Sequence, residues 1–391
     1  MRRVVDSMIL LLVLPVLLAA DPPEEPFAFP PPQRLTIAFA GDLLMHKPLV
    51  DAARDTATGE YDFNPLFEYV APYLGSADYT VANLETRLAG AARGYSGYPC
   101  FNSPASLADA LRDAGVDLLA TANNHSLDKG YDGLNATLDH LEQAGLAHVG
   151  TYRSAAAQDK PFIAQIQGVP VAFLNYTYGT NGIALPRGKE YAVNLIAAEQ
   201  IIAEAAAARE QGAALVVAFL HFGAEYQRRP NVMQRGLAQK LCEQGVDAVI
   251  GAHPHVVQPV EWYTADEQAA IGPAGCTCPI AYSLGNFVSN QRSRYRDSGI
   301  IVYLEIEQAV DRVRIVSLSY LPVYVRKYLA AGRWQYAVLP VHPDIALDLE
   351  PPLTSAERSR MDQVWDELTE HLGSDDEVLA VQPVDPAWLA R

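Results

Sequence analysis

The sequence of 391 residues lacks several features that would each indicate a distinct class of protein. It has no run of basic residues and a formal net charge of −17, so it lacks the clustered Lys and Arg that nucleic-acid binding requires. Its four cysteines are too few for a disulfide scaffold, and their spacing matches no zinc motif. It also lacks a disordered-protein composition, since half of the residues are hydrophobic and 19% are charged. We therefore expect a compact globular fold and no nucleic-acid partner.

The N-terminus has the order of parts that is typical of a secretory signal peptide. Arg2 and Arg3 precede an apolar run from Met8 to Ala20, which is short for a membrane span. The signal is either cleaved after Ala20 or kept as a membrane anchor. Residues 21–33, with six prolines, predict a stiff linker. We expect an exported, extracytoplasmic protein that is secreted or anchored by residues 1–20.

An exported protein can form a disulfide, and four cysteines are available. Cys276 and Cys278 lie in a Gly/Pro-rich insertion, where a bond to Cys100 is conceivable. Cys242 lies within an amphipathic helix pattern, which indicates a buried apolar residue.

Short apolar runs alternate with amphipathic helical patterns along most of the chain. The runs predict strands that are buried on both faces, at residues 35–40, 79–82, 118–121, 171–174, 215–220 and 248–250. Apolar spacings of three and four predict helices at residues 104–114, 131–144, 194–211 and 232–244, with Asp128 as a cap of the second helix. Residues 300–306 and 313–318 predict two successive strands. The alternation predicts an α/β sandwich.

The length of the chain allows either one large α/β domain or two smaller domains. We place the main domain at residues 34–325 and a C-terminal accessory segment at residues 326–391. The accessory segment contains one amphipathic helix candidate, residues 355–372.

Polar side chains that can bind metal follow five of the predicted strands. Since the carboxyl ends of such strands are where α/β proteins build sites, we expect these side chains to meet. The candidate ligands are Asp42, Glu85, Asn124, His221, His253 and His255. Carboxylate, imidazole and amide oxygen form a mixed ligand set that suits Zn, Mn or Fe. Two such ions, roughly 3.5–4 Å apart, would activate a water and stabilise an oxyanion, as in a two-metal hydrolase.

Other residues near these positions are candidates for further roles. His125 is placed to protonate a leaving group, because imidazole titrates near neutrality. His46 follows Asp42 closely, but it is more typical of a helix start than of a ligand. Candidates for substrate contact or for orienting the ligands are Glu225, Tyr226, Gln258 and Asn286. Taken singly, each motif also fits an ordinary turn or loop, so the prediction rests on their combination.

The ordered motifs resemble those of the CapA family of poly-gamma-glutamate capsule biosynthesis proteins over residues 35–325. The motifs are Phe39-Ala40-Gly41-Asp42, Asn83-Leu84-Glu85, Asn123-Asn124-His125, His221-Phe222-Gly223-Ala224-Glu225-Tyr226, Gly251-Ala252-His253-Pro254-His255-Val256-Val257-Gln258 and Ser283-Leu284-Gly285-Asn286-Phe287. This family is similar to the calcineurin-like metallophosphoesterases, which implies a four-layer α/β sandwich with a dinuclear metal centre.

The resemblance also implies roles for individual residues. Asp42 and His255 would bind the first ion, Glu85 would bridge the two ions, and His125 would act as general acid. The ligands of the second ion would be Asn124, His221 and His253. Two departures concern the first ion. An Asp-x-His motif is typical of the phosphoesterases, whereas Asp42 is followed by Leu43-Leu44-Met45-His46, and Glu85 replaces a bridging aspartate.

The leading functional hypothesis is an exported metal-dependent hydrolase that acts in synthesis, release or anchoring of an anionic polymer such as poly-gamma-glutamate. An alternative is a non-catalytic accessory that binds metal and polymer beside membrane-bound capsule synthase subunits. A third is a secreted phosphodiesterase or nucleotidase with a small-molecule substrate, for which Tyr176, Tyr178, Tyr226 and Tyr295 are available aromatics. Both a phosphoester and an amide are compatible with metal-stabilised oxyanions, so the bond attacked stays open.

Overall fold

A computed structural model describes residues 32–264, 277–310, 312–373 and 382–384 of the chain. The proposed signal peptide, residues 1–20, lies outside the described residues. In the described ranges the chain forms two β-sheets. The first contains β1 (Gln33–Leu43), β2 (Tyr79–Asn83), β3 (Leu118–Ala120), β4 (Ala147–Val149), β11 (Asn286–Val288), β12 (Ser298–Gln308), β13 (Val313–Ala330), β14 (Arg333–Pro340) and β15 (Gln382–Pro383). The second contains β5 (Phe162–Ile166), β6 (Val169–Thr177), β7 (Leu215–His221), β8 (Ala248–Ala252), β9 (Val260–Thr264) and β10 (Thr277–Ala281).

Each sheet has a parallel centre, and this brings the ends of its strands to one edge. In the first sheet the order is β14-β13-β12-β1-β2-β3-β4, and β1 to β4 are parallel. In the second sheet the order is β5-β6-β7-β8-β10-β9, and β6, β7, β8 and β10 are parallel. The short strand β11 pairs with the end of β1 so that Asp42 lies opposite Asn286. All six predicted central strands are confirmed.

The helices connect the strands and cover the sheets. They are α1 (Lys47–Ala52), α2 (Asn64–Phe67), α3 (Ala71–Leu74), α4 (Ser106–Asp113), α5 (Gly130–Ala144), α6 (Ala155–Gln158), α7 (Ala198–Glu210), α8 (Val232–Glu243) and α9 (Ser355–Leu372), with 3-10 turns at Ala91–Arg93 and Glu190–Ala192. In the described part of the chain, none is long and apolar enough to cross a membrane. The predicted cap of α5 is wrong: Lys129 precedes this helix, and the carboxylate of Asp128 binds elsewhere.

Three apolar layers explain why the strands are continuous hydrophobic runs in the sequence. Successive side chains of a strand point to opposite faces, so each buried strand contributes to two layers. In β1, Ile37 and Phe39 pack between the two sheets, while Ala38 and Ala40 pack on the outer side of the first sheet. Helices α7 and α8 cover the outer side of the second sheet. The arrangement is helices, sheet, sheet and helices, which confirms the predicted four-layer α/β sandwich.

The C-terminal part of the chain extends the first sheet. β13 runs through residue 325 without a break and pairs with β14, so the boundary predicted at 325/326 falls inside a strand. Helix α9 packs Val364, Leu368 and Leu372 onto the core between the sheets. Residues 326–373 therefore share the sheet and the core of the main domain.

The disulfide prediction is wrong in its pairing. Cys278 on β10 is bonded to Cys242 on α8, and Cys100 is free and exposed. The reason is packing: α8 lies over the outer side of the second sheet, where its residue 242 and strand β10 share one apolar layer. Cys242 is thus a disulfide partner rather than an isolated buried thiol, and Cys276 lies outside the described residues.

Candidate metal centre

The strand ends of both sheets bring the predicted ligands to one buried place. Asp42 lies at the end of β1, Glu85 follows β2, and Asn124 follows β3, all from the first sheet. His221 is the last residue of β7, and His253 and His255 follow β8, all from the second sheet. All six side chains are buried. The ends of five strands from two sheets therefore converge at one site, as predicted.

The backbone at the site is tightly constrained. A Cβ atom on Gly41 would lie 2.1 Å from the carbonyl oxygen of Gly285, so only glycine fits between β1 and the segment beside it. His253 and His255 have φ angles of +100° and +57°, which residues other than glycine rarely adopt. Backbone strain of this kind concentrates at functional sites.

Glu85 is the central group of the site. It is fully buried, and neither of its carboxylate oxygens has a hydrogen-bond partner. Its Oε1 lies 3.5 Å from Nε2 of His221 and 3.9 Å from Nε2 of His255. Nδ1 of His253 is also buried without a partner. Because buried polar atoms are nearly always paired in folded proteins, these atoms fit the ligand positions of cations.

Two groups of possible ligands share Glu85. One consists of Asp42, Glu85 and His255, and the other consists of Glu85, His221 and His253. In each group, ligand atoms lie within 4.8 Å of one another. Asn124 adds its Oδ1 at 2.8 Å from Nε2 of His221. The donor set of carboxylate, imidazole and amide oxygen fits a divalent cation, and Glu85 belongs to both groups.

The two groups differ in their electrostatics. Burial, together with the charge of Asp42, raises the pKa of Glu85 to about 8. Burial lowers the pKa of His221 to about 3 and that of His253 to about 2, so both rings are neutral and able to bind metal. Burial also opposes protonation of His255, but the charges of Glu85 and Asp42 outweigh it and raise its pKa to about 9. The two histidines of the second group are therefore neutral and can bind a metal ion. In contrast, the carboxylates of Asp42 and Glu85 favour the protonated form of His255.

Asp42 is held by two neighbouring side chains. Its Oδ1 accepts a hydrogen bond of 2.8 Å from Nδ2 of Asn83, and its Oδ2 lies 3.0 Å from Nδ1 of His255. Burial opposes ionisation of Asp42, yet the hydrogen bond and charge of His255 keep its pKa below the usual range. Oδ1 of Asn286 lies 3.1 Å from the same nitrogen of His255, so the predicted role of Asn286 in orienting a ligand agrees with its contacts.

His125 is oriented by Asp128, which the sequence pattern predicted to be a helix cap. Its Nδ1 lies 2.8 Å from Oδ2 of Asp128, and its ring packs edge-on against Phe101. This contact leaves Nε2 as the nitrogen that can face a substrate. Asn181 was also missed; its Oδ1 accepts from Nδ2 of Asn124, and its Nδ2 lies 3.5 Å from Nδ1 of His125. Asp128 follows His125 by three residues, and this spacing is the sequence signal that could have predicted their contact.

Two tyrosines flank the buried histidines. The ring of Tyr178 lies 4.6 Å from that of His253, and the ring of Tyr226 lies 6.1 Å from that of His255. Both tyrosines are partly exposed. Glu225 can contribute an oxygen near His253 and His255, but it is exposed, unlike the other ligands. Glu225 and Tyr226 thus lie beside these two histidines.

Two other candidates have contacts that direct them elsewhere. Gln258 accepts a hydrogen bond from Nε2 of Gln234 and donates to the carbonyl oxygen of Gln227, so it supports the segment after His221. Nδ1 of His46 lies 3.1 Å from the carbonyl oxygen of Leu44, and this histidine belongs to no metal-binding group among the described residues.

Comparisons with known proteins agree with the sequence motifs. The family model described as "Bacterial capsule synthesis protein PGA_cap" matches residues 36–291. The chain is 29% identical over 293 residues to the PGA biosynthesis protein CapA of Bacillus subtilis (strain 168), covering 73% of this chain and 71% of that protein. It is 28% identical over 279 residues to the capsule biosynthesis protein CapA of Bacillus anthracis, covering 69% of this chain and 64% of that protein. Among solved structures, the calcineurin-like phosphoesterase YfkN of Bacillus subtilis matches with a TM-score of 0.44 and 14% identity, covering 87% of this chain and 99% of that chain.

Proposed function

Since this chain belongs to the PGA_cap family of bacterial capsule synthesis proteins, we propose that it is an exported metal-dependent hydrolase. Its role is in the synthesis, release or anchoring of poly-gamma-glutamate or a similar anionic polymer. The observation that carries the proposal is the bare carboxylate of Glu85, buried between two groups of possible metal ligands. An ordinary structural carboxylate would have hydrogen-bond partners.

Two divalent cations, of Mn, Fe or Zn, are the cofactors that this donor set fits. Asp42, Glu85 and His255 would hold one cation, and Glu85, His221, His253 and Asn124 would hold the other. When bound, the cations supply Lewis acidity and lower the pKa of a bound water.

The remaining chemistry belongs to side chains of this chain. Asp128 fixes the ring of His125 through Nδ1, so that Nε2 can donate a proton to the leaving group. Asn181 contacts both Asn124 and His125 and keeps the proton donor beside the ligands. A general acid in this position favours catalysis over metal binding alone. It serves an amide leaving group and a phosphoester leaving group alike.

Export is supported by two independent features of the chain. The N-terminal order of basic, apolar and small residues is typical of a secretory signal. The bond between Cys242 and Cys278 belongs to a type that persists in oxidising compartments. Membrane-bound capsule synthase subunits are the partners that we propose for the exported protein.

Metal content and turnover can be measured on the same samples. We expect the purified full-length protein to bind Mn or Zn, and His253→Ala to lose at least one metal equivalent. The loaded protein is then assayed on poly-gamma-glutamate and on bis-p-nitrophenyl phosphate. His125→Ala should keep its metal and lose about 10²-fold or more in rate. His140→Ala is a matched control, because His140 bonds to the carbonyl oxygen of Leu88 away from the ligands.

The outcomes separate the two leading hypotheses. If the wild type binds metal and polymer but turns over neither substrate, the hydrolase hypothesis is wrong and the hypothesis of a polymer-binding accessory remains. If no metal copurifies or rebinds, the metal centre itself is wrong. Turnover of the phosphodiester alone would favour a phosphodiesterase.

A further inference from the structure

One arginine at the edge of the metal centre forms no ion pair within the part of the chain that the structure describes. The guanidinium of Arg296 lies 4.4 Å from the centre of the Tyr226 ring and forms no ion pair among the described residues. Its neighbours in sequence are engaged. Arg294 pairs with Glu367 at 2.7 Å, and Arg292 donates to the carbonyl oxygen of Val325 at 2.6 Å.

Hydrogen bonds fix the backbone of Arg296 to the metal centre. Nδ2 of Asn286 donates to the carbonyl oxygen of Arg296 at 2.8 Å, while Oδ1 of the same asparagine lies 3.1 Å from Nδ1 of His255. The next residue, Asp297, is buried and paired with Arg360 at 2.8 Å. Residue 296 is therefore held between a candidate metal ligand and helix α9.

The ring beneath the guanidinium is fixed in the same way. The backbone N–H of Tyr226 donates to the carbonyl oxygen of Pro254 at 2.7 Å, between His253 and His255. The hydroxyl of Tyr226 accepts from Nε2 of Gln291 at 3.4 Å. The guanidinium carbon lies over this ring, and Arg296 also forms a hydrogen bond with the Tyr226 side chain. A guanidinium has five N–H donors, so others are left for a ligand. Such a side chain loses little freedom when it binds an anion.

We propose that Arg296, held over Tyr226, binds a carboxylate of the substrate next to the bond that lies at the metal centre. This inference rests on the proposed function and names a residue that determines specificity. Guanidinium and carboxylate match in geometry and form paired charge-assisted hydrogen bonds. Arg296 thus selects an acidic polymer over a neutral polymer of the same backbone.

Binding of short oligomers tests this role without relying on turnover. The full-length, Mn-loaded protein is titrated calorimetrically at low salt with a hexamer of γ-linked glutamate and with its α-carboxamide form. We expect Arg296→Gln to weaken binding of the acidic hexamer about tenfold, or ~1.4 kcal/mol. Binding of the carboxamide hexamer should not change. Arg294→Gln is the matched control and should stay within twofold for both ligands, because Arg294 is neutralised by Glu367.

Two further measurements keep the result interpretable. Metal content of Arg296→Gln should equal that of the wild type, because Asn286 bonds to the backbone of residue 296 and not to its side chain. Inorganic phosphate is titrated as a second anion. If Arg296→Gln loses phosphate binding and keeps hexamer binding, the carboxylate assignment is wrong.

The proposal is overturned if Arg296→Gln binds the acidic hexamer within twofold of the wild type, or if both hexamers weaken equally. It is also overturned if the wild type does not bind the acidic hexamer. The proposal for Arg296 and the hydrolase hypothesis can fail independently. If the wild-type protein turns over no substrate, but Arg296→Gln binds the acidic hexamer tenfold more weakly than the wild type does, the hydrolase hypothesis fails and the carboxylate site stands.

Discussion

Replacing Glu85 by glutamine is expected to stabilise the metal-free protein at high pH. The carboxylate of Glu85 is fully buried and has no hydrogen-bond partner, and its pKa is raised to about 8. Glutamine has nearly the same shape and stays neutral at every pH. The variant therefore removes the cost of burying a charge, and it also removes the charge of Glu85 that helps to raise the pKa of His255.

The sign and size of the effect follow from proton linkage. The folded protein holds the proton of Glu85 up to pH about 8, whereas the unfolded chain releases it near the ordinary glutamate pKa of 4.5. Stability from this group is thus lost as pH rises from 4.5 to 8. Each unit of pKa corresponds to ~1.4 kcal/mol, so the wild type loses about 4 kcal/mol relative to Glu85→Gln between pH 5 and pH 9. An unpaired amide costs about 1–3 kcal/mol at every pH and leaves this difference unchanged.

Denaturant unfolding in the presence of a chelator, at steps from pH 5 to pH 9, measures this difference. Added Mn should then stabilise the wild type by ~2.7 kcal/mol at a hundredfold excess over its Kd, but should stabilise Glu85→Gln much less. Glu204→Gln is the control for stabilisation by Mn, because Glu204 is a partly buried carboxyl on α7 that bonds to Tyr176. Parallel pH profiles for the wild type and Glu85→Gln, or equal stabilisation by Mn, would refute the assignment of Glu85 as a bare bridging ligand.

Three further predictions concern positions that support the site. Asp128→Asn should lower kcat about 10²-fold with metal content unchanged, because the carboxylate that orients His125 is lost; steady-state kinetics and metal analysis check this. Cys242→Ser should lower the free energy of unfolding by about 3–4 kcal/mol in oxidising buffer, because it opens a loop with a sequence separation of 36 residues. Gly41→Ala should lower the melting temperature and reduce metal binding, since its Cβ would meet a carbonyl oxygen at 2.1 Å, whereas Gly236→Ala, in open space on α8, should do neither.

The central strands could be predicted because each is buried on both faces. β1, β7 and β8 therefore read as unbroken apolar runs, and their lengths agree with the prediction to within a few residues. The three-residue edge strand β4 has no such run and escaped notice. The length of β13 was also missed, since its second half is specified by pairing with β14 rather than by an apolar pattern.

That the candidate ligands lie together could be predicted from order and position, while their roles stay predictions. The resemblance to the CapA family is confirmed by the match over residues 36–291. Contacts that depend on three-dimensional packing could not be predicted. Asp128 looked like a helix cap because it precedes α5, yet the loop turns its carboxylate toward His125. The partner of Cys278 depends on how α8 packs over the second sheet, and no spacing in the sequence specifies that.

Several features of this site that cost stability would be relieved by one cation. Glu85 lacks hydrogen-bond partners, Nδ1 of His253 lacks one as well, and His253 and His255 adopt strained backbone angles. None of these features stabilises the metal-free protein. A cation would give partners to the carboxylate and to the imidazole nitrogen at once, so metal binding and folding stability should be coupled. Because Arg296 stands just outside this group, we propose that the same edge of the sandwich binds cations within and an acidic substrate at its rim.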